Sequence, residues 1–179
     1  MLGTKVRLRG KKLTDARNDY RWQTNPELVR LDAMPPLNVS FPRYLLDYVA
    51  VLRNPSPKRW TFAIEALDGR HIGNCVYYNI DKVKGEVELG IMIGDRKYWD
   101  RGYGTDAVAT LVAYIFRETG LQRVHLKTLD WNERAQRCFL KCGFTHCGQL
   151  VKNGHHFVLM EMKRDCWPEG QERIKGASF

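Results

Sequence analysis

The stretch Trp99-Asp100-Arg101-Gly102-Tyr103-Gly104-Thr105 lies between a strand-like run and a long amphipathic helix pattern, and its reading decides the fold. A glycine-rich turn that opens a helix offers unpaired backbone N–H groups and the positive end of the helix dipole to an anion. Gly102 and Gly104 carry no Cβ, so the chain can curl through unusual φ angles and a phosphate can come close to the main chain. Arg101 and Thr105 add side-chain donors, and Arg96-Lys97 bring positive charge just ahead of the turn. The pattern is not a dinucleotide fingerprint, which needs a third glycine at fixed spacing, nor a P-loop, which needs Gly-Lys-Ser/Thr. Alone it has two readings: a cradle for a nucleotide or phosphorylated cofactor, or a plain helix cap.

Just upstream, Val87, Leu89, Ile91 and Ile93 alternate with Glu86, Glu88, Gly90 and Met92. A strand over Glu86 to Ile93 therefore puts both glutamates on one face. Beside a phosphate-binding turn that carboxylate pair reads as an acid/base site, and equally as solvated edge charge. Downstream, Ala107, Val108, Leu111, Val112, Ile115 and Phe116 form a broad apolar stripe at helical spacing, with Gly120 as the stop. Arg123 to Leu129 reads as a short strand. Asn132 is a good N-cap for a second helix that turns Ala135, Cys138, Phe139 and Cys142 inward and closes at Gly143-Phe144.

Further out, Val6 to Arg9 reads as an opening strand and Thr14 to Trp22 as a helix capped by Thr14 or Asp15, with Asn25-Pro26 breaking the pattern. Pro35-Pro36 to Val39 is a loop, and a helix follows Ser40 until Asn54-Pro55-Ser56-Pro57 ends it. Trp60 to Ala66 and Ile72 to Asn79 form a hairpin across Asp68-Gly69, and His146 to Val151 and Phe157 to Met162 form another across Asn153-Gly154. Strands and helices in this mixed order give an α/β or α+β sheet of six or seven strands.

The chain has 179 residues, 44% of them hydrophobic, enough for one sizeable core and too few for two ordinary domains. The reading is a single domain over residues 1–164 and a loose polar tail over 165–179. No apolar run approaches the ~20 residues of a membrane span, and the first residues lack the order of a signal peptide. A soluble, cytoplasmic protein without a membrane partner is expected. The five cysteines, Cys75, Cys138, Cys142, Cys147 and Cys166, show no disulfide spacing and suit a reducing compartment. Cys138, Cys142, His146 and Cys147 lack the C-x₂-C pairs of structural zinc sites, so no metal is expected. A formal charge of +9 favours polyanions such as a multiply phosphorylated cofactor, while scattered basic residues without interleaved aromatics argue against a nucleic-acid partner.

The acidic strand Glu86-Val87-Glu88-Leu89-Gly90-Ile91, the turn Arg101-Gly102-Tyr103-Gly104-Thr105, and Asn132-Glu-Arg-Ala135 followed by Lys141-Cys142-Gly143-Phe144 occur in one order. Together they resemble the GNAT superfamily of acetyl-CoA-dependent N-acetyltransferases from Val6 to Met162, most closely the branch of ribosomal-protein N-terminal acetyltransferases. The resemblance implies a mostly antiparallel six- to seven-stranded sheet flanked by helices, with acetyl-CoA as cosubstrate. It places the pantetheine arm along Ile91, Met92 and Ile93. The pyrophosphate then falls on the amides of Gly102, Tyr103, Gly104 and Thr105, with Arg96, Trp99 and Arg101 beside it. A strand N–H would polarise the thioester oxygen and stabilise the tetrahedral oxyanion.

Asn132 matches the family residue that reaches the sulfur or the pantetheine amide. Glu88 is the candidate base, directly or through water, with Glu86 in reserve or purely structural. An α-amino group titrates near ~8 and a lysine near ~10.4, so a protein N-terminus needs less help from that base. Two positions depart from the family pattern. Trp99 stands where many members have Gln or Arg, and Phe139, which cannot donate a proton, stands where many have a tyrosine acid. A thiolate with a thiol pKa of ~8.5 can leave without strong acid assistance.

The expected activity is transfer of acetyl to a primary amine, a protein or peptide N-terminus first and a ribosomal protein among the candidates, by a monomer or homodimer. Small amines such as polyamines, amino sugars or amino-acid-like metabolites are the alternative. Two others are an RNA- or ribosome-binding module of the same fold and a sensor of CoA thioesters. The loop Met34 to Val39, with Trp60, Tyr77 and Tyr78, is expected to line the acceptor groove.

Overall fold

The computed structural model describes residues 1–167. Seven strands form one sheet in the order β1-β2-β3-β4-β5-β7-β6. The strands are β1 Val6–Gly10, β2 Arg59–Ala66, β3 His71–Asp81, β4 Glu86–Ile93, β5 Arg123–Leu129, β6 Thr145–Lys152 and β7 His155–Lys163. Neighbours are antiparallel except β4 and β5. The helices are α1 Ala16–Gln23, α2 Pro26–Arg30, α3 Phe41–Arg53, α4 Tyr103–Glu118 and α5 Glu133–Lys141.

The second hairpin turns as its chemistry predicts, whereas the first closes through the four residues 67–70, of which only Gly69 takes a positive φ, 85°. Asn153 and Gly154 have φ of 50° and 75°, the two consecutive positive values a tight hairpin turn requires. The core forms where the apolar stripe of α4 meets the sheet. Leu111, Ile115 and Phe116 pack with Val6, Val87 and Val124, all essentially inaccessible to water. Along β4, Val87 and Leu89 are buried in that core and Ile91 and Ile93 pack against it half-buried, while Glu88 is buried as well, so burial alternates less cleanly than the spacing predicts.

Contacts around α4 and β4 set where α4 begins and how closely α1 packs. Asp106 in its first turn accepts from the amides of Thr4 at 3.0 Å, Lys5 at 2.8 Å and Val6 at 3.0 Å, and from the Thr4 hydroxyl at 2.8 Å. A carboxylate there also complements the helix dipole, and these donors hold its pKa below the usual range against the opposing cost of burial. At the end of β4, a Cβ on Gly94 would lie 2.1 Å from Trp22 Cδ2, so only glycine lets α1 pack this closely.

Two elements differ from the sequence expectations. Asn25-Pro26 does not simply break a helix. Asn25 caps α2, its side chain accepting from Glu27 N at 3.0 Å and Leu28 N at 3.1 Å, with Pro26 in the first turn. The packed chain also runs past residue 164, because Trp167 is buried against Phe116 with ring centroids 5.6 Å apart. The rest of the expected tail, residues 168–179, lies outside the described residues.

Candidate active site

The site begins where two strands part. β4 and β5 pair only through Glu86–Arg123, Val87–Val124 and Glu88–His125. Beyond Glu88, β4 stays with β3 as far as Ile93–Gly73, while β5 stays with β7 as far as Leu129–Phe157. The wedge between them exposes one edge of β4 over Leu89 to Ile93. Unpaired strand edges carry N–H and C=O groups ready to bond an extended amide-bearing ligand.

The N-terminus of α4 stands over this wedge. Gly102 is its N-cap, with φ of 81°, and Asp100 before it also takes a positive φ of 56°. The amides of Tyr103, Gly104 and Thr105 begin the helix and so have no intrahelical acceptor. A Cβ on Gly104 would sit 3.5 Å from Cys138 Sγ and 3.7 Å from Ile93 Cγ1, which leaves the turn flush with the wedge wall.

These features open into one cavity of about 1320 Å³. Leu89, Gly90, Ile91, Met92 and Ile93 line one side, with Trp99, Gly102, Gly104, Thr105 and Asn132 at the helix ends. Arg101 and Tyr103 are not brought to it. Their side chains line a separate shallow depression with Thr4, Lys5, Asp68 and Arg70. Arg96 pairs with Glu27 and lies 5.6 Å from the Trp99 ring.

Trp99 also binds on two further sides. Its indole N–H donates to Ile93 O at 2.6 Å, closing the far end of β4, and its ring carries the Arg134 guanidinium 3.3 Å from its centroid. Arg137 and Lys141 of α5 also reach the cavity, so this end is strongly positive. Sequence reading missed Arg134, because a single arginine on a helix face carries no signal until Trp99 is placed beside it.

Asn132 is 8% exposed and caps α5, its Oδ1 accepting from Ala135 N at 3.3 Å. That leaves its Nδ2 uncommitted at the cavity wall. Phe139 is buried against Phe144, ring centroids 5.9 Å apart. Cys138 does line the cavity, with Thr105 Oγ1 donating to its sulfur at 3.6 Å, while Cys142 Sγ donates to Thr105 O at 3.4 Å.

Glu88 is 7% exposed, at the last paired position before the wedge. It accepts from Lys127 Nζ, from Asn79 Nδ2 at 3.0 Å and from the Tyr78 hydroxyl. Burial pushes its pKa up, but Lys127, Tyr78 and Asn79 together outweigh that and leave it below the ordinary glutamate value. Glu86 is held in an ion network, with Arg123 Nη1 at 2.5 Å and Arg123 in turn binding Glu161 at 2.6 Å. The solvated-edge reading fails for Glu88 and the structural one fits Glu86.

The opposite wall comes from α1 to α3. Asp19, 3% exposed, binds Lys11 Nζ at 2.6 Å, Asn74 Nδ2 at 2.6 Å and the Tyr48 hydroxyl at 2.9 Å. Met34 to Asn38 and Tyr78 reach the cavity as expected, but Trp60 and Tyr77 do not. Those two rings stack on each other, 5.2 Å apart and 4° from parallel, and Tyr77 is buried in the core. Odd and even positions of β2 and β3 face opposite sides of the sheet, which is why Tyr78 is in the cavity and Tyr77 is not.

The comparisons with known proteins place this mixed sheet, with its splayed parallel pair under a helix N-terminus, in a known class. The acetyltransferase (GNAT) domain model matches residues 5–145, and the chain belongs to that family. The N-acetyltransferase p20 of Bacillus licheniformis, itself uncharacterised, is 27% identical over 148 residues, covering 82% of each chain. The spermidine N-acetyltransferase of Vibrio cholerae, solved with CoA and spermine, superimposes with a TM-score of 0.79 at 19% identity, over 89% of this chain and 96% of that one. The aminoglycoside acetyltransferase AAC(6')-Ib with ribostamycin and coenzyme A gives 0.75 at 19% identity, over 97% and 99%. The protein is an acetyl-CoA-dependent N-acetyltransferase. No helix among the described residues is long and apolar enough to cross a membrane.

Proposed function

We propose that the chain acetylates a primary amine on a small molecule, rather than the protein N-terminus expected from the ribosomal branch. The observation that carries this reading is one cavity with two unlike ends, a positive end at α4 and α5 and a wall bearing Asp19, Asp32 and Asp47 from α1 to α3. The relatives solved with spermine and ribostamycin, both amine-rich small molecules, support the same class of acceptor.

Bound acetyl-CoA supplies an activated thioester carbonyl. The chain's own groups do the rest. The unpaired edge of β4 from Leu89 to Ile93 would hold and orient the pantetheine amides. The amides of Tyr103, Gly104 and Thr105, with Arg134 laid on Trp99, would receive the phosphates. Asn132 would offer its Nδ2 to the acyl end. Glu88 would draw the proton from the attacking amine through Tyr78 or a water, and its pairing with Lys127 keeps it ionised at neutral pH. Phe139 carries no proton, so it would offer no acid to a leaving thiolate, whose low basicity makes one unnecessary.

Calorimetric titration with acetyl-CoA and a CoA-release assay with small amines test this together. Gly104→Glu should abolish cofactor binding, because a carboxylate then occupies the helix N-terminus. Glu88→Gln should keep acetyl-CoA affinity and lower kcat/KM by about 100-fold, the scale of lost general-base catalysis. Unchanged turnover in Glu88→Gln would remove Glu88 from the reaction. Turnover of peptides with no turnover of small amines would reverse the acceptor assignment.

A further inference from the structure

We propose that Asp32, at the end of α2, is a specificity-determining residue that binds a second cationic group of the acceptor, so that the preferred substrate is a diamine or polyamine rather than a monoamine. The proposal rests on the small-amine reading above and names the substrate class of that same site.

Asp32 lines the cavity together with Tyr78 and Gly90. The other carboxylates of the cavity have counter-charges. Asp19 binds Lys11, Asp47 binds Arg43 at 3.2 Å, Asp100 lies in the field of Arg134, and Glu88, behind Tyr78, binds Lys127. Asp32 has neither an ion pair nor a side-chain hydrogen bond among the described residues. Its side chain is open to water, yet the protein packed around it raises its carboxyl to about 6, with no cation nearby to bring it down.

The placement is unfavourable three times over. The side chain reaches the water of the cavity yet is ringed by protein that partly desolvates it. It has no partner. It also follows the C-terminus of a helix, its backbone N–H donating to Val29 O at 3.0 Å, where a negative charge opposes the helix dipole. A fold that keeps a carboxylate under these conditions inside a binding cavity gains nothing from it unless a cation arrives with the ligand.

Asp32 is near enough to raise the Tyr78 hydroxyl pKa, and that hydroxyl bonds Glu88 at the head of the wedge. In the proposed complex a neutral amine is held toward Glu88 and an ammonium at Asp32, with Tyr78 bonded to the first carboxylate and in the field of the second. The two ends of a short diaminoalkane satisfy both, and a monoamine satisfies only one.

The test compares 1,4-diaminobutane with 1-aminobutane on wild type and Asp32→Asn, reading CoA release and calorimetric binding of each amine in the presence of CoA. Wild type should prefer the diamine in kcat/KM. Asp32→Asn should raise the diamine KM about tenfold and weaken its binding to match, with kcat, acetyl-CoA affinity and the monoamine KM unchanged. The variant should melt at or above the wild-type temperature, because the charge it removes is unfavourable in the free protein. Equal effects on both amines, a fall in kcat instead of a rise in KM, or no wild-type preference would overturn the role of Asp32 while leaving the small-amine reading intact. Failure of wild type to release CoA with either amine while turning over peptides would overturn both.

Discussion

At the residue scale, positions with no alternative side chain are set by approach distances. Gly94 is the clearest, since any Cβ there overlaps the Trp22 indole ring that also packs on His71 with centroids 4.8 Å apart. Gly94→Ala should cost about 1–3 kcal/mol through forced displacement of α1, seen as a lower midpoint in thermal or urea unfolding. Gly104 contrasts with it, because its Cβ would meet only ordinary contacts. Gly104→Ala should therefore fold normally, and any loss would appear in acetyl-CoA affinity. Both glycines stand out in the sequence, but only the neighbours in space show which one is there for packing.

At the element scale, α4 and α5 together form the anion-binding end. α4 brings its dipole and free amides, and α5 brings Arg134 across Trp99 with Arg137 and Lys141 along its face. Arg134→Ala should weaken acetyl-CoA binding about tenfold and flatten its dependence on salt, both measurable by titration at two ionic strengths. An equal loss at all salt concentrations would mean that Arg134 acts by packing on Trp99 alone. The sequence displayed α4 through its stripe and turn, and α5 through Asn132. Their meeting required the sheet to bring β4 and β5 side by side.

At the scale of the whole molecule, buried ion pairs tie the first strand to the first helix. Arg9 Nη1 lies 2.8 Å from Asp15 Oδ2, and Arg9 Nε lies 2.5 Å from Glu65 Oε2. Burial works to raise the Asp15 pKa, but its hydrogen bonds from Arg9 and Lys12 prevail and bring it to about 2. The folded value is below the unfolded one of ~3.9, so the stabilisation of roughly 2 kcal/mol is complete above pH 4 and disappears as the pH falls toward 2. Arg9→Met should flatten that part of an acid-unfolding curve. An unchanged curve between pH 4 and 2 would show that other carboxylates govern acid unfolding.

The sequence by itself determined the elements and their local chemistry: the alternation of β4, the stripe of α4, the Asn132 cap, the turn glycines and the overall charge. Each depends on neighbours a few residues away, and periodicity records such neighbours directly. It also carried the resemblance that pointed to acetyl-CoA. Tertiary structure alone decided that β7 enters between β5 and β6, that β4 and β5 pair for three residues and then part, and that Trp60 and Tyr77 stack away from the cavity while Tyr78 lines it. It likewise set Arg134 on Trp99, Lys127 on Glu88 and Asp32 on the far wall with no counter-charge among the described residues. These are long-range facts. Register and packing between distant segments minimise the energy of the whole chain, and no local pattern encodes which charge will find a partner and which will be left for a ligand.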